Sequence, residues 1–208
     1  MKNYKFKIKV LNINRMLNKK FFNKLQKEHT AAMVERREII GQSNDILHDS
    51  KRAIFAMHRG DFVAAGDSLK KIEKLMSGLQ KKFGVSRVEK EGAYGAGVEE
   101  YVEAKLLYLV LTDEKIDEIK GLDLSFSSYL GGLSDLTGEL VRYAVNQAAQ
   151  RNFKEVEKAK NIITDIMAQL VEFDLTSYLR TKYDQAKQNL RKIEQINYEV
   201  AMKSTHNT

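Results

Sequence analysis

The amino-acid sequence predicts an all-α fold, namely a seven-helix antiparallel bundle with a long first helix. The 208 residues include no proline, whereas a soluble domain of this length usually contains about ten. The helices are therefore expected to be long and uninterrupted. From residue 17 onward, apolar residues recur at steps of three and four, which is the period of an amphipathic helix. The alternating segment 4–10 has no partner strand elsewhere, so no sheet is predicted.

Short connections separate the predicted helices, so consecutive helices are expected to be antiparallel neighbours. Polar residues that favour the N-cap position open five of them, because their side chains accept hydrogen bonds from free backbone N–H groups. These residues are Asp61, Asp113, Ser125 or Ser127, Asn152 and Thr176. The seven predicted ranges are 17–58, 61–79, 92–111, 113–120, 125–150, 152–173 and 176–202, and the charged segment 81–91 is predicted to be a loop.

The positive charge of the chain is concentrated at its N-terminus. Residues 1–20 carry seven of the 35 basic residues and no acidic residue. The other 28 basic residues equal the 28 acidic residues in number, so the rest of the chain is neutral. Bulk charge therefore does not predict a nucleic-acid-binding surface. Residues 1–16 are predicted to be a disordered basic extension, and residues 17–208 a single helical domain.

Several classes of site are excluded by what the sequence lacks. Without cysteine there is no disulfide framework, no thiolate metal site and no cysteine nucleophile. The Glu-x-x-His motif of di-iron bundles does not occur, and the four histidines, expected at the surface or at helix caps, lack the spacing of a zinc site. No apolar run approaches the roughly 20 residues of a membrane span, so we expect a cytoplasmic protein without a membrane partner.

Two pairs of acidic residues are the strongest candidates for a functional site. Glu100 and Glu103 are three residues apart on the predicted third helix, and Asp135 and Glu139 are four residues apart on the fifth. Each spacing places two carboxylates on one helix face. Four carboxylates converging from two helices would suit Mg²⁺ or Mn²⁺, which take oxygen ligands and promote attack on phosphodiesters. The structural alternative is a solvated acidic face.

Basic residues beyond the N-terminus form two groups. Arg52 and Arg59 share one face of the first predicted helix with Phe55, at steps of three and four. The second group precedes the third predicted helix and consists of Lys81, Lys82, Arg87 and Lys90. Such groups contact phosphates along a single strand, and solvated surface charge is the alternative interpretation.

Several segments of the chain form a set that points to a known family. They are residues 35–40 with 49–55, His58 and Arg59; EEYVEA at 99–104; LSDLTGEL at 133–140 with Arg142 and Asn146; and 179–187 with 192–194 and Tyr198. Together they resemble the translin family, and more narrowly translin-associated factor X and its archaeal homologues. The resemblance covers roughly residues 30–203, and the two acidic segments are its most specific part.

The resemblance implies a seven-helix bundle of the translin type and a metal-dependent endoribonuclease. In the factor X branch, the acids of the two signatures hold the catalytic metal. By matching position, these residues are Glu100, Glu103, Asp135 and Glu139, and Mg²⁺ or Mn²⁺ is the implied cofactor. The implied substrate is single-stranded RNA, with single-stranded DNA as a second candidate. Cleavage is implied to take place inside a hollow homo-oligomer, commonly of eight subunits.

Four basic residues are predicted to contact nucleic acid. Lys51, Arg52 and Arg59 are assigned to the phosphate backbone. Arg142 lies one turn beyond the last acid, where it would contact the scissile phosphate or balance the acids. Residues 91–97 contain no basic residue where the family has a basic stretch, so RNA contact is expected to shift to the second basic group or to the first helix.

Translin proper lacks the four acids and binds nucleic acid without supplying the main active site. The alternative function is therefore a non-catalytic oligomer that binds single-stranded RNA or DNA. A helical scaffold that touches no nucleic acid is the third interpretation. The intact set of four acids favours the catalytic branch.

Overall fold

The computed structural model describes residues 17–205 of the chain. The predicted basic extension, residues 1–16, lies outside the described residues. The chain divides into two compact units, Met1–Glu38 and Ile39–Thr208. Every residue predicted for the functional site belongs to the second unit. The single domain expected over residues 17–208 stays a prediction.

All regular structure in the described part of the chain is helical. The seven helices are α1 (Lys19–His58), α2 (Phe62–Phe83), α3 (Val85–Val88), α4 (Gly92–Leu111), α5 (Phe126–Ala149), α6 (Phe153–Leu170) and α7 (Ser177–Thr205). This confirms the predicted all-α class. The long first helix is also confirmed, and Gly41 lies inside it without interrupting it.

The helix predicted over residues 113–120 is wrong. Asp113 does not cap a new helix but ends α4, because its backbone has a φ of 60°, in the left-handed region that terminates helices. The N–H of Glu114 donates to the carbonyl of Leu109 over 2.8 Å, and the N–H of Asp113 donates to the carbonyl of Val110. This pair of bonds is a Schellman motif. The following segment runs without helical structure to the start of α5 and buries Ile119 in the core.

The loop predicted over residues 81–91 is also wrong in part. Helix α2 continues to Phe83, and the short helix α3 follows immediately after Gly84, whose φ is 83°. Val88 of α3 is fully buried, and Arg87 pairs with Glu91 over 2.9 Å. The segment was predicted as a loop because it is rich in charged residues, and that composition gave no sign of the buried Val88 or of the ion pair between Arg87 and Glu91.

Helix α5 is the centre of the bundle. It packs against α4, α6 and α7, while α6 also packs against α7 and α2 packs against α4. Tyr143 near the end of α5 donates a hydrogen bond to Glu155 near the start of α6, so α5 and α6 are antiparallel. Lys182 and Asn189 of α7 bind Asp135 and Thr137 of α5 in the same order along both helices, so α7 runs parallel to α5. The core residues with the largest fully buried side chains include Ile46, Ile72, Leu106, Leu136, Leu140 and Ile163.

Glycines let the central helices approach one another closely. A Cβ atom at Gly132 of α5 would lie 2.7 Å from the backbone oxygen of Glu99 and equally close to the side chain of Val102 in α4. A Cβ atom at Gly97 would lie 2.9 Å from the backbone oxygen of Ser43 in α1. Both distances are below any ordinary carbon contact, so these positions bring α1, α4 and α5 together.

The caps predicted at two helix starts are confirmed. The side chain of Asp61 accepts from the N–H of Ala64 over 3.0 Å at the start of α2. The side chain of Ser125 accepts from the N–H of Ser128 over 3.1 Å at the start of α5. Between residues 17 and 205, none of the helices has both the length and the hydropathy needed to cross a bilayer.

Candidate metal and nucleic-acid site

The four predicted acids form one cluster between α4 and α5. Glu100 and Glu103 come from α4, and Asp135 and Glu139 come from α5. Burial raises the pKa of Glu103 to about 9, and the charges of Asp135, Glu100 and Glu139 contribute to this rise. Burial also raises the pKa of Glu100. The nearby Lys51 lowers this pKa, whereas the charges of Asp135 and Glu139 raise it further. Each acid is therefore close enough to the others to affect their ionisation.

Glu139 is kept ionised by neighbouring side chains. Burial alone would raise its pKa, but the hydrogen bond with His58 and the nearby Arg142 together outweigh burial, so the pKa is lowered. His58 Nε2 lies 2.5 Å from Glu139 Oε2, and Arg142 donates to the same oxygen over 3.3 Å. The cluster thus contains one acid that favours the charged form and one, Glu103, that favours the neutral form.

His58 was expected at the surface or at a helix cap; it ends α1, but its side chain does not lie at the surface. Its side chain is only 5% exposed, and its Nδ1 atom is buried without a hydrogen-bond partner in the described part of the chain. His58 is the last residue of α1, so its position at a helix end suggested a cap. Its contact is with a carboxylate 81 positions away, which no local pattern reveals.

Glu99 and Lys182 are further members of the cluster that the sequence analysis did not single out. Lys182 Nζ of α7 lies 2.6 Å from Glu99 Oε1 and 2.5 Å from Asp135 Oδ2. Tyr178, one turn earlier on α7, donates to Glu99 over 2.5 Å. Glu99 is not an ordinary surface charge, since its side chain is 14% exposed. The only sign of this contact in the sequence is the pair of adjacent glutamates at 99 and 100, because no local pattern connects Lys182 to α4 or α5.

The donor atoms fit a hard divalent cation by their chemistry, since all four predicted ligands are carboxylates. Glu103 has no hydrogen bond or ion pair with any residue that the structure describes. A bound cation would supply the partner that its charged form lacks. Within residues 17–205, no three histidine or acidic side chains are arranged to enclose a metal ion. Asp135 and Glu139 are instead engaged by Lys182 and His58, and Lys51 Nζ lies 3.9 Å from Glu100 Oε2.

The four predicted nucleic-acid contacts differ in their surroundings. Arg142 lies over the ring of Phe55, with its guanidinium carbon 4.9 Å from the ring centre. Phe55 is 53% exposed. Lys51 and Arg52 are also exposed, although Arg52 pairs with the buried Asp49 over 3.0 Å. Arg59 is exposed at the turn that follows α1. Their function stays a prediction.

The second basic group is partly used within the fold. Lys82 lies 5.0 Å from the ring centre of Phe83, and Arg87 is paired with Glu91. Lys81 and Lys90 are exposed. This group therefore presents fewer open cations than its sequence suggests.

The chain matches a known protein family over most of its length. Residues 34–204 match the model of the translin family. The chain belongs to the translin family. The match spans both acidic segments and most of α1 and α7.

Two relatives agree with the resemblance to translin-associated factor X and to archaeal proteins. An uncharacterized protein of Methanocaldococcus jannaschii is 30% identical over 155 residues, which cover 72% of this chain and 68% of that protein. The translin-associated protein X homolog of Schizosaccharomyces pombe is 24% identical over 184 residues, which cover 79% of this chain and 80% of that protein.

Solved structures confirm the translin-type bundle. The crystal structure of AfC3PO has a TM-score of 0.80 and 23% identity, covering 87% of this chain and 97% of that chain. The complex of AfC3PO with duplex RNA has a TM-score of 0.78 and 22% identity, covering 87% and 96%. The crystal structure of apo-NeC3PO has a TM-score of 0.76 and 23% identity, covering 86% and 96%. At these identities the likeness establishes a shared fold.

Proposed function

We propose that this chain is a metal-dependent endoribonuclease centred on Glu100, Glu103, Asp135 and Glu139. The observation that carries the proposal is the cluster of four carboxylates from α4 and α5, in which the pKa of Glu103 is raised to about 9 by burial and by the other three. Crowding of this kind disfavours the charged form of Glu103, and a bound divalent cation would stabilise that form. Membership of the translin family and the relationship to a translin-associated protein X homolog support this function.

The proposed substrate is single-stranded RNA, with single-stranded DNA as the second candidate. An exposed ring with adjacent cations suits an unpaired strand, because bases stack on the ring while phosphates contact lysine and arginine. Phe55 has this environment, since Arg142 of α5 lies over its ring and Lys51 and Arg52 precede it by four and three residues on α1. The related AfC3PO is known in complex with duplex RNA, so double-stranded RNA belongs in the same test.

Each residue of the cluster has a distinct proposed task. Glu100, Glu103 and Asp135 hold Mg²⁺ or Mn²⁺, and Glu139 completes this set or orients the attacking water. When bound, such an ion activates water and stabilises the leaving oxygen of a phosphodiester. Arg142, fixed between Glu139 and the ring of Phe55, contacts the scissile phosphate. Lys51, Arg52 and Arg59 bind the backbone of the strand.

The test is cleavage of labelled single- and double-stranded RNA in Mg²⁺, Mn²⁺ or EDTA. We expect cleavage of single-stranded RNA with either ion and none in EDTA. The double variant Glu100→Gln, Glu103→Gln should reduce cleavage at least about 100-fold, with unchanged helical circular dichroism. Glu157→Gln, an exposed acid of α6, is the matched control and should cleave at the wild-type rate. Undiminished cleavage by the pure double variant would exclude this cluster as the centre.

The second candidate is an oligomer that binds single-stranded RNA or DNA without cleaving it. The exposed Phe55 with its cations favours it, because this surface needs no metal ion to bind a strand. This candidate predicts salt-sensitive binding that is equal in Mg²⁺ and EDTA, and no cleavage under any of the conditions above.

We also propose a homo-oligomer of eight chains, as the family resemblance implies. The large apolar side chains that are exposed in the first half of α1 support an assembly. A cytoplasmic location stays a prediction.

A further inference from the structure

Lys182 has the environment of a bound ion rather than that of a surface lysine. Its side chain is 15% exposed, and its ammonium group bridges Glu99 of α4 and Asp135 of α5. The ring of Tyr178 lies 5.3 Å from the same nitrogen. A buried ammonium group that joins two carboxylates from different helices does what a divalent cation does in carboxylate clusters.

The charge of Lys182 acts on the whole cluster. It opposes the rise in the pKa of Glu100 and Glu103 as well as that of Asp135. Its ammonium group donates to Asp135 and pairs with Glu99, so its positive charge is held between α4 and α5.

The position of this charge limits how many ions the cluster accepts. Lys182 occupies Glu99 and one oxygen of Asp135, so the members of the acidic cluster left outside this bridge are Glu100, Glu103 and Glu139. A second divalent ion between Glu99 and Asp135 would need the space of the ammonium group and would be repelled by it.

We propose that Lys182 takes the place of a second metal ion, so that each chain binds one divalent cation rather than two. This inference rests on the proposed metal-dependent function. Lys182 is a positioning residue here, since it acts through Glu99 and Asp135.

The test is the number of Mn²⁺ ions bound per chain, measured on the full chain by electron paramagnetic resonance of free Mn²⁺ during titration. Wild type should bind one ion. Lys182→Met, which keeps the length and removes the charge, should bind two. Lys158→Met is the matched control, because Lys158 pairs with Asp113 outside the cluster, and it should bind one. The double variant Glu99→Gln, Lys182→Met should return to one, because the second ion needs Glu99.

The outcomes separate this inference from the proposed function. Two ions in wild type, or one in Lys182→Met, would overturn the role of Lys182 and leave the metal site standing. No ion in wild type would overturn both. If Lys182→Met loses its helical circular dichroism, Lys182→Gln is measured in its place. The number of ions bound by wild type is decisive in either case, because a value of two contradicts the inference without any variant.

Discussion

Glu103 is the residue whose ionisation differs most from that of a free side chain. Burial, followed by the charges of Asp135 and Glu100, raises its pKa from 4.5 to about 9. An acid whose pKa is higher in the folded chain destabilises the fold as pH rises through this interval, because the folded chain then holds a proton that the unfolded chain has released. In the metal-free chain, stability is therefore expected to fall between about pH 4.5 and pH 9.

Glu103→Gln should make the metal-free chain more stable, because it removes this penalty. We expect the free energy of unfolding in EDTA at pH 8 to rise by roughly 1–3 kcal/mol, and the gain to shrink towards pH 5. Urea denaturation at both pH values measures it. Glu157→Gln should change stability little at either pH. A gain that is equal at pH 5 and pH 8 would contradict the raised pKa.

Phe55 is the residue that we expect to distinguish nucleic-acid binding from catalysis. Loss of a stacking ring weakens binding by about 1–3 kcal/mol per base, so Phe55→Ala should weaken binding of a short single-stranded RNA in EDTA about tenfold. Fluorescence anisotropy measures this. Phe126→Ala removes another exposed ring and should leave binding unchanged; equal losses in both variants would count against a specific stacking role.

At the scale of the helices, the site depends on the close approach of α4 and α5. Gly132→Ala would place a methyl group 2.7 Å from the backbone oxygen of Glu99. Overpacking of this kind destabilises by about 1–3 kcal/mol. Thermal unfolding should show a lower midpoint, and Mn²⁺ affinity should fall because Glu100 moves with its helix.

A matched glycine provides the control for this prediction. A Cβ atom added to Gly78 of α2 would meet no other atom within 4 Å, so Gly78→Ala should stabilise the chain by about 0.5–1 kcal/mol. If Gly132→Ala proved equally stabilising, the two helices would not be in the contact described.

Periodicity and spacing were sufficient to predict most helices and the two acidic pairs. Asp61 and Ser125 cap the helices that they were expected to cap, because capping depends on neighbouring backbone. Asp113 was misassigned because the same residue type also tolerates the left-handed backbone that ends a helix. Contacts made by His58 and Lys182 join residues far apart in sequence, and a single sequence contains no local sign of them.

At the scale of the whole molecule, residues 21–208 carry no net charge. The binding of a nucleic-acid strand is therefore expected to depend on where the charged side chains lie. Lys51, Arg52 and Arg142 lie around Phe55, while the acids lie on α4 and α5. Binding should therefore weaken with salt in proportion to a few phosphate contacts rather than to the total number of lysines.

Assembly is the second property expected of the whole molecule. Phe21, Phe22 and Leu25 are exposed in α1, and replacing all three with serine should lower the particle mass measured by light scattering, because an apolar contact between chains is lost. Val63→Ser with Phe126→Ser removes other exposed apolar side chains and should preserve the mass. A wild-type protein of single-chain mass would rule out the proposed oligomer.

The bridge made by Lys182 has a consequence for the order in which the molecule is completed. Lys182 follows Asp135 by 47 positions, so α4 and α5 leave the ribosome well before the helix that neutralises them. Until α7 docks, Glu99 and Asp135 repel each other across the helix contact. The acidic cluster is therefore completed only once residue 182 has been synthesised and α7 has docked on α4 and α5.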